Sequence, residues 1–280
     1  MDNLIDRTAV ITGAASGIGL AMARRFAAAG MNVVLADVEA PKLDEAVSSI
    51  TDSGASALGV LTDVSDGASI DHLRDAAIDR FGDVHVLCNN AGVGGTPSGG
   101  QLLEPDWRWV LDVNLWGVIH GHRAFLPHMV ERGGGHIVNT ASMAGHLPGH
   151  SAYSASKWAV VGITEGLFHQ MNANRTGVGV SCLCPGWVNT AIGESVRNRP
   201  EWAAPDRAIE PTPEEEFRHA FVVDQLRSGM EPARVGDLVH DSIVSGSFWI
   251  FTDPAMVRLL EGRFRSILDG TNPPAFAPGG

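Results

Sequence analysis

The sequence predicts an α/β protein built on one doubly wound parallel sheet of about seven strands, with helices on both faces. Short apolar runs alternate along the chain with segments of helical periodicity, which is the order expected of a parallel sheet. The first run leads through a glycine-rich turn into a helix, and polar residues follow several later runs. No internal repeat and no second boundary divides the 280 residues, so we expect a single domain over residues 1–280.

The strand prediction depends on seven apolar runs. They are residues 8–11, 33–36, 57–61, 84–88, 136–140, 180–183 and 248–251. The clearest helical patterns begin near Ile18, near Asp106 and at Tyr153, with apolar or small residues three and four positions apart.

Composition and charge exclude several classes of protein. Hydrophobic residues make up 44% of the chain and charged residues 19%, as in an ordinary globular protein. The formal net charge of −12 argues against a nucleic-acid surface and against docking on anionic membranes. No apolar run reaches the roughly 18 residues of a membrane helix, and the first residues do not resemble a signal peptide. We therefore expect a cytoplasmic protein.

The turn after the first run predicts a phosphate site. Gly13, Gly17 and Gly19 follow the TGxxxGxG spacing, with Ser16 and Ile18 between them. A strand, a glycine-rich turn and a helix point free N–H groups and a helix N-terminus at a pyrophosphate. Glycine is needed where the backbone turns sharply or where a phosphate must approach without meeting a Cβ.

Acidic residues follow the second and third runs. Asp37 is suited to bind the adenosine ribose hydroxyls, and its charge repels a 2′-phosphate. No Arg or Lys lies in the glycine loop or directly after Asp37, which favours NAD over NADP. The alternative is a solvated aspartate at a strand end. Asp63 is expected either to contact the adenine or to cap the helix that starts near Gly67.

Tyr153 and Lys157 are the candidates for acid/base chemistry. They are four positions apart and so lie on one face of the predicted helix. Tyr153 is the only tyrosine in the chain. A phenol with a pKa of about 10 is a poor base at neutral pH, but a neighbouring ammonium group stabilises the phenolate. Such a pair can take a proton from an alcohol or return one to a ketone.

No metal site is predicted. The three cysteines lie within predicted strands and show no CxxC spacing. His146 and His150 are four positions apart, but Pro148 and Gly149 break any helix between them.

Two segments stand apart from the alternating pattern. Residues 191–217 are rich in proline and glutamate and too long for an ordinary connection, so they form either a substrate lid or a disordered segment. Residues 271–280 are rich in proline and glycine and are expected to fray.

Taken together, these motifs resemble the short-chain dehydrogenase/reductase family over about residues 6–254. The marks of the family occur in order as Thr12-Gly13-x-x-x-Gly17-Ile18-Gly19, Asp63-Val64, Asn89-Asn90-Ala91-Gly92, Asn114, Ser142, Tyr153-x-x-x-Lys157 and Pro185-Gly186. The resemblance implies a Rossmann-like fold and NAD-dependent hydride transfer between a secondary alcohol and a ketone, as in an alcohol dehydrogenase or ketone reductase.

The resemblance also implies the catalytic roles. Tyr153 would be the general acid/base, and Lys157 would lower its pKa and hold the nicotinamide ribose. Ser142 would bind the substrate oxygen, although its spacing of eleven positions before Tyr153 is short for the family. Asn114 would kink its helix and anchor a water in the proton relay from Lys157.

The cofactor roles implied by the resemblance run along the chain. The pyrophosphate would lie against Gly13, Ser16, Gly17, Ile18 and Gly19, the adenine against Asp63 and Val64, the adenosine side against Asn90, Ala91 and Gly92, and the nicotinamide near Pro185, Gly186, Val188 and Thr190. The family further suggests a homotetramer.

The expected substrate pocket is apolar and aromatic. Its predicted lining is residues 93–96, Met143, His146, Leu147, His150, Trp187 and the segment 191–217. Such a lining suits a bulky hydrophobic alcohol or ketone. The two histidines are alternatively solvated loop residues. A catalytically idle NAD-binding regulator and an epimerase or dehydratase on the same fold are the alternative functions.

Overall fold

The computed structural model of the protein describes residues 4–95, 103–204 and 210–275. Its strands are β1 (Thr8–Thr12), β2 (Asn32–Asp37), β3 (Ala57–Leu61), β4 (Val86–Asn89), β5 (Gly135–Thr140), β6 (Val178–Cys184) and β7 (Trp249–Phe251). Within the described residues they form one sheet in the order β3-β2-β1-β4-β5-β6-β7. Every neighbouring pair is parallel, which confirms the predicted doubly wound sheet.

The helices follow the strands in alternation along most of the chain. They are α1 (Gly17–Ala28), α2 (Ala40–Thr51), α3 (Gly67–Phe81), α4 (Glu104–Leu111), α5 (Gly117–Glu131), α6 (Ala152–Ala173), α7 (Pro213–Arg227), α8 (Pro232–Ser245), α9 (Pro254–Arg258) and α10 (Leu260–Asp269). The observed strands begin and end within about two residues of the predicted ones, the usual uncertainty of element ends.

The sheet is buried on both faces. Met22 and Phe26 of α1 are fully buried on one face, in a cluster that also contains Val239 of α8. Phe125 and Met129 of α5 are fully buried on the other face. Strands covered on both sides must be apolar along their whole length, and this is why the sequence showed continuous apolar runs rather than alternation.

The long helix predicted from about Asp106 is divided in two. Between α4 and α5 the chain makes a π-helical turn over Asp112–Trp116, and Asn114 lies fully buried within it. The turn agrees with the kink expected at Asn114. Single π turns inside α-helices occur frequently at functional sites.

The segment 191–217 is largely ordered where the structure describes it, so its interpretation as a disordered segment is wrong there. Ala191–Asn198 and Glu201–Ala203 form 3₁₀ turns. The side chains of Arg199 and Asp106 are largely buried and form an ion pair between this segment and α4. Residues 205–209 lie outside the described residues.

The last part of the same segment is helical. Thr212 and Glu215 form a capping box in which each side chain accepts a hydrogen bond from the other's backbone N–H, and α7 begins at Pro213. This local motif was overlooked because the prolines dominated the interpretation, although proline is well tolerated at the first helical position.

Among the described residues, no helix combines the length and the hydropathy needed to cross a membrane. Of the segment expected to fray, residues 271–275 are described and form no helix or strand, and residues 276–280 lie outside the described range.

Candidate active site

A large cavity opens at the carboxyl ends of the central strands. The strand order reverses between β1 and β4, and open α/β sheets bind ligands in the crevice at such a switch point. The cavity measures about 1110 Å³ and extends from Asp37 at the end of β2 to Met256 in α9. Single-ligand pockets are typically about 300–1,000 Å³, so there is room for a dinucleotide together with a substrate.

The glycine-rich turn forms the phosphate end of this cavity, where Gly13, Ser16, Gly17 and Ile18 line the wall. Ser16 caps α1 without a side-chain hydrogen bond, and the first turn of α1 carries no acidic residue. The first N–H groups of the helix therefore remain available to an anion. Gly19 does not line the cavity that the described residues enclose, so the structure does not support its predicted contact with the pyrophosphate. It lies behind the turn, where a Cβ would overlap the carbonyl oxygen of Gly13. These features fit a pyrophosphate.

Thr12 and Asn90 join the glycine turn to the end of β4. The Thr12 hydroxyl accepts hydrogen bonds from the backbone N–H groups of Asn90 (2.9 Å) and Ala91 (3.0 Å). The Asn90 amide donates to the carbonyl of Thr12 at 3.0 Å and accepts from the Thr140 hydroxyl at 3.2 Å. Asn90, Ala91 and Gly92 line the cavity, as predicted, and the Asn90 side chain also has this structural role.

Asp37 lines the cavity at the end of β2. Its carboxylate accepts hydrogen bonds from the backbone N–H groups of Ala15 (3.0 Å) and Glu39 (3.0 Å). It is therefore a fixed group rather than a freely solvated aspartate, and a fixed carboxylate at this position suits a ribose diol.

Asp63 and Val64 also line the cavity. The Asp63 carboxylate accepts hydrogen bonds from the N–H (2.9 Å) and the hydroxyl (2.6 Å) of Ser65. The N-cap of α3 is Asp66, whose side chain accepts from the N–H of Ala68. The capping alternative for Asp63 is therefore wrong, and contact with the adenine is the interpretation that remains.

Asn114 lies behind the cavity and fixes its wall. Its side-chain oxygen accepts from the N–H of Val93 at 2.8 Å, and its amide donates to the carbonyl of Val93 and the hydroxyl of Ser156, both at 3.0 Å. A Cβ on Gly92 would lie 3.3 Å from the Asn114 oxygen and 3.5 Å from Lys157 Nζ. The backbone at Gly92 thus passes close to both side chains. The water relay expected at Asn114 stays a prediction.

Lys157 is held inside the site by the backbone. Only 2% of the residue is exposed, and Nζ donates to the carbonyl oxygen of Thr140 at 2.8 Å. Burial disfavours the ammonium form and lowers the pKa of Lys157 from 10.5 to about 8. At neutral pH the group is therefore still largely charged, but it loses its proton far more readily than a surface lysine.

Tyr153 and Ser142 stand together at the cavity wall. Burial raises the pKa of Tyr153 above its ordinary value, and the hydrogen bond with Ser142 acts in the opposite direction. Lys157 Nζ lies 5.7 Å from the centre of the Tyr153 ring. In the protein by itself, desolvation of the phenol is the largest effect on the pKa of Tyr153. The lowering of this pKa by Lys157 stays a prediction for the cofactor-bound protein.

The loop after β6 supplies the next wall. Pro185, Gly186, Val188 and Thr190 line the cavity as predicted. The Ser142 hydroxyl contacts the carbonyl of Pro185 at 3.4 Å, and Val188 pairs with Met230 in an isolated bridge. These contacts fix the loop beside Ser142.

The other end of the cavity has apolar and aromatic side chains, as expected, but α7 also contributes the polar residues Glu215, Arg218, His219 and Gln225. Val93, Met143, His150 and Trp187 line it. The indole of Trp187 lies edge-on to the ring of Phe221 in α7, with centroids 6.3 Å apart. Helix α7 thus lines this end of the cavity. Thr96, also expected here, lies outside the described residues.

His146 does not line the cavity that the described residues enclose, so its predicted place in the substrate pocket is wrong. The 3₁₀ turn Met143–Gly145 carries it to the other side of the loop, where it is 7% exposed. There its ring packs against Trp249 and Phe251, and Nε2 lies 3.4 Å from Cys184 Sγ. Burial lowers the pKa of this imidazole, which keeps it neutral.

Several residues of the site have roles that the sequence does not reveal. Thr12, Thr140 and Ser156 hold Asn90, Lys157 and Asn114 through the hydrogen bonds given above. Thr12 could have been found from its fixed place before Gly13, whereas Thr140 acts through its backbone carbonyl and leaves no side-chain signal. Glu39 and Arg197, which meet at the Asp37 end of the cavity, were also missed.

A doubly wound sheet with an anion site at its switch point and a Tyr–Lys–Ser group beside it defines an oxidoreductase that works with a dinucleotide. The family model for short chain dehydrogenases matches residues 7–201. The chain belongs to this family, whose members use NAD(P).

The chain is similar to several characterised and solved relatives. A short chain dehydrogenase/reductase from Burkholderia phymatum, solved in complex with NAD, is 40% identical with a TM-score of 0.95, covering 99% of this chain and 100% of that one. The 1-deoxy-11-beta-hydroxypentalenate dehydrogenase of Streptomyces exfoliatus is 41% identical over 213 residues, 74% of this chain and 76% of the relative. The C alpha-dehydrogenase of Sphingobium sp. strain SYK-6 is 31% identical over 284 aligned residues, 100% of this chain and 91% of the relative.

Proposed function

We propose that the protein is an NAD-dependent oxidoreductase that interconverts a secondary alcohol and a ketone, with Tyr153 as the acid/base. The observation that carries this proposal is the grouping of Tyr153, Ser142 and Lys157 at one wall of a cavity whose other end has a free helix N-terminus. The family membership given above supports the same reaction class.

In the proposed mechanism, each side chain has one task. When bound, the nicotinamide would supply the hydride acceptor for the alcohol carbon or, in its reduced form, the hydride donor for the ketone. Ser142 binds the substrate oxygen and steadies its developing charge. Tyr153 accepts the hydroxyl proton during oxidation and donates it during reduction. Lys157 holds the nicotinamide ribose, and Asn114 anchors the water of the proton relay.

The preference for NAD is attributed to Asp37. A carboxylate beside a phosphate of about −2 charge costs a few kcal/mol, or on the order of 10²-fold in specificity. The relative from Burkholderia phymatum was solved with NAD, which supports this assignment. The remaining cofactor contacts are proposed for the cavity residues Gly13, Ser16, Gly17, Ile18, Asp63, Val64, Asn90, Ala91, Gly92, Pro185, Gly186, Val188 and Thr190.

The substrate is proposed to be bulky and hydrophobic. Met143 and Trp187 supply apolar walls, and Phe221 and Leu226 of α7 face the same space. His150 and His219 are imidazoles that line the cavity, and His150 is the predicted candidate for a polar contact with the substrate. The relative from Streptomyces exfoliatus is named for a hydroxylated substrate, which agrees with an alcohol as hydride donor.

A panel of secondary alcohols offered with NAD and with NADP tests the proposal through the absorbance of the reduced cofactor. We expect turnover with bulky cyclic or aromatic alcohols and a kcat/KM at least about 10²-fold higher with NAD than with NADP. Equal kcat/KM values for the two cofactors would contradict the role of Asp37. Tight NADH binding without turnover of any alcohol or ketone would favour the idle regulator.

We also propose a cytoplasmic homotetramer. Trp116 at the end of the π turn is 49% exposed, and Phe264 and Ile267 of α10 are 50% and 58% exposed. Apolar side chains exposed to this extent support burial against further copies of the chain. Sedimentation analysis at micromolar concentration tests the assembly, and a monomer would refute it.

A further inference from the structure

An acidic residue next to Asp37 binds two cations at the adenosine end of the cavity. Glu39 Oε1 accepts hydrogen bonds from Arg197 Nε (3.1 Å), Arg197 Nη2 (2.8 Å) and Asn198 Nδ2 (2.9 Å). Its other oxygen pairs with Lys42 in α2. Glu39 therefore joins the first turn of α2 to the 3₁₀ turn Ala191–Asn198, which we call the strap.

The strap holds Arg197 in a fixed position. Arg197 Nη1 donates to the backbone carbonyls of Ala191 (3.1 Å) and Glu194 (3.0 Å), so its guanidinium is bound at both ends. Asp37, Glu39, Arg197 and Asn198 all line the same cavity. The backbone N–H of Glu39 donates to the Asp37 carboxylate at 3.0 Å, which places the two acidic residues side by side.

We propose that Glu39 is a second specificity-determining residue for the dinucleotide, because it neutralises Arg197, the cavity-lining cation that would otherwise serve a 2′-phosphate next to Asp37. The inference rests on the proposed NAD-dependent function. The sequence showed no Arg or Lys directly after Asp37, but the fold brings Arg197 to this end of the cavity. Asp37 repels the 2′-phosphate, and Glu39 forms an ion pair with Arg197 that keeps the guanidinium from binding the phosphate.

The chemistry of Glu39 and Arg197 supports the proposed role of Glu39. Guanidinium groups bind phosphate through two parallel hydrogen bonds and are the usual partners of a 2′-phosphate. Burial opposes the ionisation of Glu39, but the hydrogen bonds from Arg197, Lys42 and Asn198 outweigh it and lower the pKa to about 2. The carboxylate is thus charged at any working pH, and Arg197 is not available to a phosphate while Glu39 is intact.

The test compares the affinity for NADH and NADPH in variants built on Asp37→Ser, which removes the repulsion. The second change is Glu39→Gln, which keeps the shape of the side chain but releases its two cations. Dissociation constants are measured from the fluorescence of the bound reduced cofactor, so no turnover is required. The matched control is Glu45→Gln, which removes the same charge from an exposed position of α2.

We expect Asp37→Ser/Glu39→Gln to bind NADPH, relative to NADH, about 10-fold better than Asp37→Ser alone, as for one gained charge-assisted hydrogen bond. Adding Arg197→Met should remove most of this gain. Asp37→Ser/Glu45→Gln should keep the affinity ratio of Asp37→Ser. An equal ratio in Asp37→Ser and Asp37→Ser/Glu39→Gln would overturn the inference, and so would a gain that survives Arg197→Met or appears equally with Glu45→Gln.

A second variant keeps the inference testable if the Glu39→Gln protein does not fold. In Asp37→Ser/Arg197→Met the carboxylate of Glu39 loses its main partner, so NADPH should bind about 3-fold or more weaker relative to NADH than in Asp37→Ser. An unchanged ratio there would overturn the inference. Failure of the unmodified protein to bind either cofactor would instead refute the proposed function.

Discussion

Replacing Lys157 by Met is expected to stabilise the fold while removing the activity. The side chain of Lys157 is 2% exposed, and its pKa is lowered from 10.5 to about 8 because burial disfavours the ammonium form. A shift of this size means that holding the charged lysine in the folded protein at pH 7 costs about 3 kcal/mol. Met fills much of the same space without a charge.

The net gain is smaller, because the substitution also removes the hydrogen bond from Nζ to the carbonyl of Thr140. That bond is worth about 1 kcal/mol, which leaves a net stabilisation of about 2 kcal/mol at pH 7. For a chain of 280 residues this corresponds to a rise in Tm of about 3–4 °C.

The sign of the pH dependence follows from the direction of the shift. Between the folded value of about 8 and the unfolded value of 10.5, the unfolded chain binds more protons at Lys157 than the folded protein. The unmodified protein therefore regains stability as the pH rises through this window, and the penalty falls to about 1 kcal/mol near pH 10. The gain in the free energy of unfolding from Lys157→Met should therefore be full below pH 8 and close to zero near pH 10.

The assay is thermal unfolding of both proteins at pH 7 and pH 10, with Lys42→Met as the control. Lys42 is exposed and pairs with Glu39 at the surface, so its removal should lower the free energy of unfolding by less than about 1 kcal/mol. A Lys157→Met protein that is less stable at pH 7, or whose advantage is the same at both pH values, would refute the reasoning. Turnover should be lost in Lys157→Met and retained in Lys42→Met.

Three further predictions concern the phenol, the lid and the glycine turn. Because Tyr153 is the only tyrosine, the tyrosinate absorbance reports its pKa alone. This pKa should lie above the ordinary value in the protein alone and should fall when NAD binds. Equal pKa values with and without NAD would contradict the effect of the cofactor's charge. The segment 191–217 should be cleaved by proteases in the free protein and protected by cofactor with substrate, whereas uniform resistance would argue against a lid. Gly19→Ala should lower the free energy of unfolding by at least about 2 kcal/mol, because the added Cβ overlaps Gly13. The control Gly166→Ala in α6, where a Cβ meets nothing within 4 Å, should be neutral or stabilising. Equal effects of the two substitutions on stability would contradict the packing argument.

The sheet was predictable because its signals are local. Strands β1, β2, β4, β5 and β6 are covered on both faces and therefore appear as apolar runs, and the helices between the strands show their own periodicity. The positions of Tyr153, Lys157 and the glycine turn follow from spacing along single elements. Their placement at one cavity follows from the fold, since the carboxyl ends of parallel strands meet at one edge of the sheet.

Contacts between distant segments and the effects of burial could not be predicted from the sequence. Glu39 and Arg197 are 158 positions apart, and no local pattern relates them. His146 was placed on the wrong side of its loop because a short 3₁₀ turn decides its direction. The pKa of Tyr153 was expected to be low from its spacing to Lys157, but it depends on desolvation, which only the packed structure reveals.

The most direct test of the account is the kcat of Tyr153→Phe, measured beside its affinity for NADH. The account predicts a loss of at least about 10²-fold in kcat, the usual contribution of a positioned acid/base. NADH affinity should change little, because the glycine turn and Asp37 lie at the other end of the cavity. A native-like kcat in Tyr153→Phe with intact NADH binding would contradict the central claim that this phenol moves the proton.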